Sequence, residues 1–349
     1  MNKGGEFMAF INTLHRVIRK SNKDILNFYI SNNNLFLKEF NAKKGCNTSI
    51  KLIENIEDYL ININIDSNDK VYGIATPENG DVLYLYTDNE NIIREKKLFS
   101  YDSEKYSLIY PYIKKSESTL HIIYLFQNIY NESIYSLFSH YFDGENWHEN
   151  NIDLVSAHPF VTPFAVTFMS NNPTVFYFKD DEIFACSFKG NEKAWTSPTQ
   201  ITNTHNKKIY FSVLQDDTNL IHITWSEFIN EHLVVRYTNG AFNNKGFNSL
   251  KITNISEPSN CSYPTVAKIK DILWNMWVQF DRLYSCYSID NGITWSKPSI
   301  DSKSYEEDFI RYKFLTNHAS DLSHFKVDNI FGIFNPRISF IGFDRSIES

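Results

Sequence analysis

Short runs of β-branched, aromatic and aliphatic residues recur along the chain, and a few polar residues bound each run. This pattern predicts strands joined by tight turns, because such side chains favour the pleated, half-buried surface of a sheet. A paired pattern of strand, short turn and strand occurs six times. The second strand of each pair is predicted to begin at Ile25, Val71, Leu120, Thr174, Leu220 and Ile272.

The spacing of these six strands predicts a repeat architecture. Successive starts lie 46, 49, 54, 46 and 52 residues apart. Propeller blades are about 40–50 residues long and contain four strands. Each second strand here is followed by another strand-like run, a polar turn and a last strand-like run. The sequence therefore predicts an all-β fold, namely a β-propeller of four-stranded blades.

A seventh and less regular unit lies near the C-terminus. Residues 309–314 predict its first strand, residues 324–327 or 330–334 its second, and residues 337–343 its third. Its fourth strand is missing. Residues 7–11 could supply that strand and close the ring, which would remove an exposed sheet edge. Seven blades are therefore favoured over six.

No glycine- or serine-rich linker divides the chain. We expect a leader and possible ring-closing strand at residues 1–11, followed by a single propeller domain at residues 12–349. The expected blades cover approximately residues 12–56, 57–104, 105–156, 157–203, 204–254, 255–302 and 303–343.

One turn carries a more specific pattern, S-x-D-x-G-x-T-W, at residues 288–295. Asp290 can accept hydrogen bonds from backbone N–H groups two or three residues further on. Gly292 can take a positive φ without a Cβ penalty. The hydroxyls of Ser288 and Thr294 can tie the two arms of the turn together. The ring of Trp295 can pack under the turn. The pattern predicts a structural hairpin turn that satisfies its own polar groups.

This turn resembles the Asp-box of the sialidase-like β-propellers. Weaker copies occur at residues 141–147, 187–195, 237–240 and 86–89. The resemblance implies that the Asp-box turn lies on the rigid face of the fold. The ligand site of that family lies on the opposite face, at the central funnel. The turns between second and third strands and the links between blades are therefore implied to face the ligand.

Those turns and links supply the candidate ligand-binding residues. The two histidines among them could contact a ligand, and plain surface histidines are the alternative. The carboxylates could form a glycosidase pair or a calcium site, and solvated loop charge is the alternative. The candidates are His158, Asp181, His205, Glu227, Asp281, Arg282, Glu306 and Arg311.

The catalytic signature of a sialidase is not found in the sequence. The family binds a carboxylate with three arginines, because guanidinium groups hold carboxylates in a bidentate manner. Its first arginine lies in an F/Y-R-I-P motif near the chain start. Arg16 and Arg19 lie near the start without that proline, and the chain has only eight arginines.

The preferred hypothesis is therefore a non-catalytic sialidase-like propeller that binds a glycan or a protein across its funnel face. A diverged glycoside hydrolase of the exo-sialidase type, or a polysaccharide lyase, is the alternative. A structural or assembly module is the third possibility. The sequence leaves catalysis undecided and leans against it.

Charge and cysteine content indicate which ligands and partners the protein is not expected to bind. The formal net charge is −7 and the basic residues are scattered, so a nucleic-acid partner is not expected. Four cysteines form no C-x-x-C pair and no Cys/His cluster with zinc spacing. We predict no cofactor and no metal, with calcium left open.

No apolar run is long enough to span a membrane, and the N-terminus lacks a signal-peptide pattern. The compartment stays open, because the protein could be cytoplasmic, or secreted if a leader was removed.

Two recurrences indicate packing rather than chemistry. His121 and His222 occupy equivalent places in their repeats, which predicts a role in blade packing. Tyr110-Pro111 and Tyr263-Pro264 open predicted innermost strands, where proline fits because the first residue of a strand need not donate a hydrogen bond.

Overall fold

The computed structural model describes residues 9–46, 49–116, 118–131, 134–155, 163–169, 171–243, 246–335 and 337–343. Within these ranges the regular structure is almost entirely antiparallel strand, and the two α-helices have four residues each. The all-β prediction is confirmed, and the repeated four-stranded sheets are consistent with a propeller.

The chain forms two compact units. Unit 1 comprises Met1–His15, Asn206–Phe314 and Ser323–Ser349, and unit 2 comprises Arg16–His205 and Leu315–Leu322.

The strands that begin before residue 206 form four successive groups, which are separated here by semicolons. Their bounds are β1 Phe10–Arg19, β2 Ile25–Ser31, β3 Asn34–Asn41, β4 Gly45–Cys46 and β5 Ile50–Glu54; β6 Ile61–Ile65, β7 Val71–Ala75, β8 Asp81–Thr87 and β9 Ile93–Ser100; β10 Tyr106–Ser116, β11 Thr119–Asn128, β12 Tyr135–Phe142 and β13 Trp147–Val155; β14 Phe164–Met169, β15 Asn172–Lys179, β16 Glu182–Lys189, β17 Ala194–Trp195 and β18 Thr199–Gln200. A 3-10 turn, Asp58–Leu60, precedes β6.

The elements that begin after residue 206 form three further groups. Their bounds are β19 Lys208–Gln215, β20 Ile221–Ile229, β21 His232–Asn243, β22 Gly246–Ser249 and β23 Thr253–Asn254; β24 Ser262–Ile269, β25 Ile272–Gln279, β26 Arg282–Ser288 and β27 Ser299–Ile300; α1 Lys303–Glu306, β28 Phe309–Thr316, α2 Ala319–Leu322, β29 Phe325–Lys326, β30 Asn329–Ile333 and β31 Ser339–Ile341.

The six predicted second strands are confirmed as β2, β7, β11, β15, β20 and β25. Each pairs with the strand before it and the strand after it. The outermost strand is often broken into two short pieces on the third strand, as β17 and β18 are on β16. In the last group β30 pairs with β28, so the second of the two sequence alternatives, residues 330–334, is the right one.

The N-terminal strand lies in a different place from the one the sequence suggested. Residues 7 and 8 are outside the described residues, but the Ala9 N–H donates to Asp308 Oδ1 at 2.8 Å and the Ala9 carbonyl accepts from Phe309 N–H at 3.4 Å. Ala9 therefore lies beside β28, the first strand of the last group, rather than beside the edge strand β31. The Phe10 ring packs on β28 and so supports this position, since its centroid lies 5.4 Å from that of the Phe309 ring.

Large aromatic side chains fill the spaces between sheets. Trp225, Trp274 and Trp277 are all buried. His121 is buried as well, and its ring stacks on Tyr141 at 4.5 Å. His222 is completely buried, and its Nδ1 lies 2.7 Å from Tyr237 Oη.

The burial of these two histidines predicts that the folded protein loses stability in acid. Burial lowers the pKa of His121 to about 4, and burial lowers that of His222 to about 4 although Asp216 opposes the shift. The unfolded chain binds these protons near pH 6.5 and the folded chain does not. Stability should therefore be complete above pH 6.5 and should fall between pH 6.5 and 4, by about 2–3 kcal/mol for each histidine.

Urea unfolding at several pH values between 7 and 4.5 measures this loss. The matched comparison is the variant His121→Gln, which keeps a buried polar side chain but cannot titrate. Its unfolding free energy should depend less steeply on pH than that of the wild type. Equal slopes for the two proteins would contradict the assignment of His121.

Candidate functional site

The turns between second and third strands differ in length, and those after β7, β11 and β30 are longer than two residues. Four of them are two-residue hairpins in which both turn residues have positive φ, as a type I′ turn requires. They are Asn32–Asn33, Asp180–Asp181, Asn230–Glu231 and Phe280–Asp281. Asp181 and Asp281 therefore have a structural reason for their identity, because aspartate tolerates the left-handed conformation. Both side chains are exposed.

Glu227 is not in a turn, although the sequence suggested one. Strand β20 continues to Ile229, and Glu227 is completely buried. Its Oε2 accepts from Trp225 Nε1 at 2.8 Å, and its Oε1 accepts from Asn206 Nδ2 at 3.0 Å and from Arg236 Nη1 at 3.3 Å. The cross-strand partner is Lys208. The carboxylate thus holds its own sheet and the preceding link together.

His205 lies in that same link and is exposed. Its backbone N–H donates to Glu182 Oε1 at 2.6 Å, and the Thr204 N–H donates to the same oxygen at 2.8 Å. Glu182 is buried. Sequence reasoning missed this residue, because nothing distinguishes it from the two turn aspartates before it. The link from β18 to β19 is therefore anchored on a carboxylate from the neighbouring hairpin.

Arg282 and Glu306 lie at the start of β26 and at the end of α1. Arg282 Nη1 donates to the Ser304 carbonyl at 3.1 Å, and its guanidinium carbon lies 4.9 Å from the Tyr305 ring centroid. The segment around Tyr305 forms the short helix α1. Glu306 is exposed.

Arg311 belongs to a compact group at the starts of neighbouring first strands. Its guanidinium carbon lies 4.1 Å from the Tyr263 ring centroid, and its Nη2 donates to Asn12 Oδ1 at 3.0 Å. The ring centroids of Tyr210 and Tyr263 lie 4.4 Å apart. We call Tyr210, Tyr263 and Arg311 the tyrosine–arginine cluster. Phe10 borders it, 5.4 Å from Tyr263.

Backbone irregularities produce this cluster. The pairing of β19 with β20 shifts register at Tyr210, and that of β24 with β25 shifts at Tyr263. Both tyrosines have positive φ, +50° and +52°. Such a conformation is a genuine outlier for a bulky residue and costs about 1–3 kcal/mol. Tyr110, in unit 2, repeats the feature with φ +53° at a register shift in β10.

The charge state of the cluster is simple at neutral pH. Burial raises the pKa of Tyr210 to about 12, Tyr263 adds to the shift, and Arg311 opposes it. The Tyr210 phenol therefore keeps its proton and can donate a hydrogen bond. Arg311 supplies a permanent positive charge. The cluster combines half-buried aromatic rings with hydrogen-bond donors.

The turn after β26 satisfies its own polar groups. Asp290 Oδ1 accepts from the Thr294 N–H at 2.9 Å, and Asp290 Oδ2 accepts from Thr294 Oγ1 at 2.6 Å. Ser288 Oγ donates to Asp290 Oδ1 at 2.7 Å. The hydrogen bonds from Thr294, followed by that from Ser288, lower the pKa of Asp290 to about 2. The Trp295 ring packs edge-on against Tyr237 at 4.9 Å.

The weaker copies of this turn differ in their outcome. Asp88 and Asp143 each follow a third strand and accept backbone N–H groups two to four residues further on. Within residues 187–195, residues 190–193 form a turn between β16 and β17. Residues 237–240 lie inside β21, so the pattern there is strand and not turn.

The structure also bears on the candidate His158, on metal sites and on membrane-spanning helices. His158 lies outside the described residues. No group of three or more His, Cys, Asp or Glu side chains among the described residues is placed to hold a metal ion. None of the helices within the described ranges is long and apolar enough to cross a membrane.

The chain is similar to known proteins in structure but matches none of them in the sequence comparisons. No family model matches the chain, and no curated protein matches it. A protein from Lactobacillus plantarum is similar with a TM-score of 0.52 and 7% identity, over 86% of this chain and 87% of that one. The polysaccharide lyase Uly1 has a TM-score of 0.50 and 10% identity, over 86% of this chain and 85% of its own.

A lectin from Aleuria aurantia, solved in complex with Fucα1-6GlcNAc, is more distant. Its TM-score is 0.47 and its identity 11%, over 84% of this chain and 97% of that one. At these identities the likenesses concern the fold, and those to the lyase and the Lactobacillus protein support a propeller-like architecture.

The tyrosine–arginine cluster is the group that sequence reasoning only half identified. Arg311 was a candidate, whereas Tyr210 was not singled out and Tyr263 was noted only as the start of a strand. The signal that could have found them is the repeated tyrosine near the start of a first strand, at Tyr110, Tyr210 and Tyr263. Of the other candidates, the structure brings Arg282 close to α1 and leaves Asp181 and Asp281 in separate hairpins.

Proposed function

We propose that this chain is a sialidase-like propeller of seven blades that binds a glycan without cleaving it, and that the tyrosine–arginine cluster is the primary contact. The observation that carries the proposal is the pair of tyrosines in left-handed bulges, with their rings 4.4 Å apart. Strained backbone of this kind persists where the surrounding fold imposes it, and it is concentrated at binding sites.

A sugar suits the chemistry of this cluster. One face of a pyranose ring carries C–H groups that pack on an aromatic ring, and its edge carries hydroxyls that need donors and acceptors. The tyrosine rings supply the apolar surface, and the phenols and the Arg311 guanidinium supply the donors. Sites of this type combine aromatic walls with a few fixed polar groups. The structural likeness to a polysaccharide lyase agrees with a saccharide ligand.

The carboxylates support binding rather than hydrolysis. A glycosidase of the usual kind needs two carboxyl groups that flank the scissile bond. Glu227 and Glu182 are buried and bonded within the protein, and Asp181 and Asp281 occupy hairpin turns. The roles of His205, Asp281, Arg282 and Glu306 as further ligand contacts are predictions. The same holds for His158.

Electrophoresis through gels that contain a dissolved polysaccharide tests the proposal. The probes are hyaluronan, homogalacturonan, xylan, galactomannan and laminarin, each in its own gel. At least one should retard the wild-type protein. The variant Tyr263→Asn removes the ring but keeps a residue that accepts positive φ, and it should weaken retardation by about tenfold, as should Arg311→Gln.

The control is Ile293→Ser, an exposed position in the turn after β26, which should leave retardation unchanged. Absence of retardation in every gel, or equal retardation of Tyr263→Asn, would overturn the proposal. Release of reducing or unsaturated sugar ends by the wild type would show a hydrolase or a lyase instead. Circular dichroism of each variant establishes that it is folded.

A further inference from the structure

The hairpin between β25 and β26 carries an unusual residue at its tip. Its first turn position is Phe280, with φ +50°. The same position in the other three two-residue hairpins is Asn32, Asp180 or Asn230. Asparagine and aspartate favour this conformation because their short polar side chains tolerate it, whereas a bulky ring does not. The sequence therefore places a phenylalanine where the backbone favours a small polar residue.

Burial does not compensate for this choice. The side chain of Phe280 is 72% exposed. An exposed aromatic ring contributes little hydrophobic stabilisation to the fold. The residue thus combines an unfavourable backbone conformation with an unfavourable exposure to water. A ligand contact gives a reason for a residue that the fold itself does not favour.

The surroundings of Phe280 are polar rather than apolar. Asp281 and Arg282 follow it directly, and Arg282 carries its guanidinium over the Tyr305 ring. Tyr305 is itself 52% exposed. Protein interfaces favour contiguous apolar patches, whereas a sugar unit can pack on one ring and bond to the charged groups around it. The setting therefore favours a saccharide over a protein partner.

The same end of the sheet carries the tyrosine–arginine cluster. Ser262, which precedes Tyr263, pairs with Val278 near the end of β25. Phe280 comes directly after β25, two residues beyond Val278. The bulge of β24 and the tip of the β25–β26 hairpin thus lie at the same end of one sheet in unit 1.

We propose that Phe280, together with Arg282 and Tyr305, forms an outer subsite for a second part of the glycan, so that the ligand is a saccharide chain and not a single sugar. This inference rests on the proposed function. The cluster holds one portion of the chain, and the Phe280 ring supports the portion that extends over the hairpin tip.

The variant Phe280→Asn installs the residue found at the equivalent position of two other hairpins. Its affinity for the retarding polysaccharide among hyaluronan, homogalacturonan, xylan, galactomannan and laminarin should fall by about three- to tenfold. Its affinity for the disaccharide fragment of that polymer, measured by calorimetry, should stay unchanged. Its melting temperature should rise by about 1–2 °C, because the strain at the turn is relieved. The matched variant Phe280→Trp keeps an aromatic face and should retain polymer binding.

The outcomes separate this inference from the proposed function. Wild-type retardation that is lost in Tyr263→Asn but unchanged in Phe280→Asn would overturn the outer subsite alone. Equal weakening of polymer and disaccharide in Phe280→Asn would also overturn it, because the residue would then belong to the primary site. A wild type that binds none of the five polymers would overturn both.

Discussion

Replacing Gly292 by alanine should lower the free energy of unfolding by about 3 kcal/mol. Gly292 has φ +89°, a conformation that alanine adopts only with strain. A Cβ at this position would lie 2.1 Å from Tyr237 Oη and 2.6 Å from Tyr237 Cζ. The Tyr237 ring is buried and bonded to His222, so it cannot move away without breaking other contacts.

Gly45→Ala is the matched control. Gly45 has φ +86°, nearly the same as that of Gly292, but a Cβ added to it would meet no heavy atom within 4 Å among the described residues. This variant should cost about 1 kcal/mol, which is the backbone strain alone. Urea unfolding of both variants separates strain from the clash with Tyr237. Equal costs for the two variants would show that the turn after β26 adapts and that the close approach is not essential.

Replacing Glu227 by alanine should destabilise the protein by about 3–5 kcal/mol, because it leaves buried donors and charges without their acceptor. Trp225 Nε1, Asn206 Nδ2 and Arg236 Nη1 would lose a partner. Lys208, which lies opposite Glu227 and is buried, would lose the nearby negative charge. Glu227→Gln should cost less, since it keeps the volume and one acceptor oxygen.

Glu306→Ala is the control for Glu227, because Glu306 is exposed and its loss should change stability by less than about 0.5 kcal/mol. Urea unfolding at pH 7 measures all three variants. A loss below about 1 kcal/mol in Glu227→Ala would show that the buried carboxylate is dispensable for folding.

The repeat architecture was readable from the sequence because each second strand is buried on both faces. Strands such as β7 and β25 are therefore mainly apolar runs, and the starts of such runs lie 46–54 residues apart. The turn at residues 288–295 was also readable, since its hydrogen bonds are local and its residue types determine them. These features depend on neighbours in sequence.

The features of the candidate site depend on register between strands, which local pattern does not encode. Glu227 lies among polar letters that suggest a turn, yet strand β20 runs through it and pairs it with Lys208. The bulges at Tyr210 and Tyr263 arise where one strand gains residues relative to its partner. Pro264 after Tyr263 is compatible with either a strand start or a bulge, and the strand-like residues around Tyr210 do not indicate a bulge.

The two-residue hairpins limit how this protein can acquire a new specificity. A loop of minimal length cannot reshape itself around a different molecule, and any insertion would first have to replace the left-handed pair at its tip. Adaptation at these hairpins is therefore expected to proceed by exchanging single side chains on a fixed frame. The same rigidity makes Asn32–Asn33 and Asn230–Glu231 suitable sites for grafting foreign peptides, because both ends of a graft would be held by paired strands.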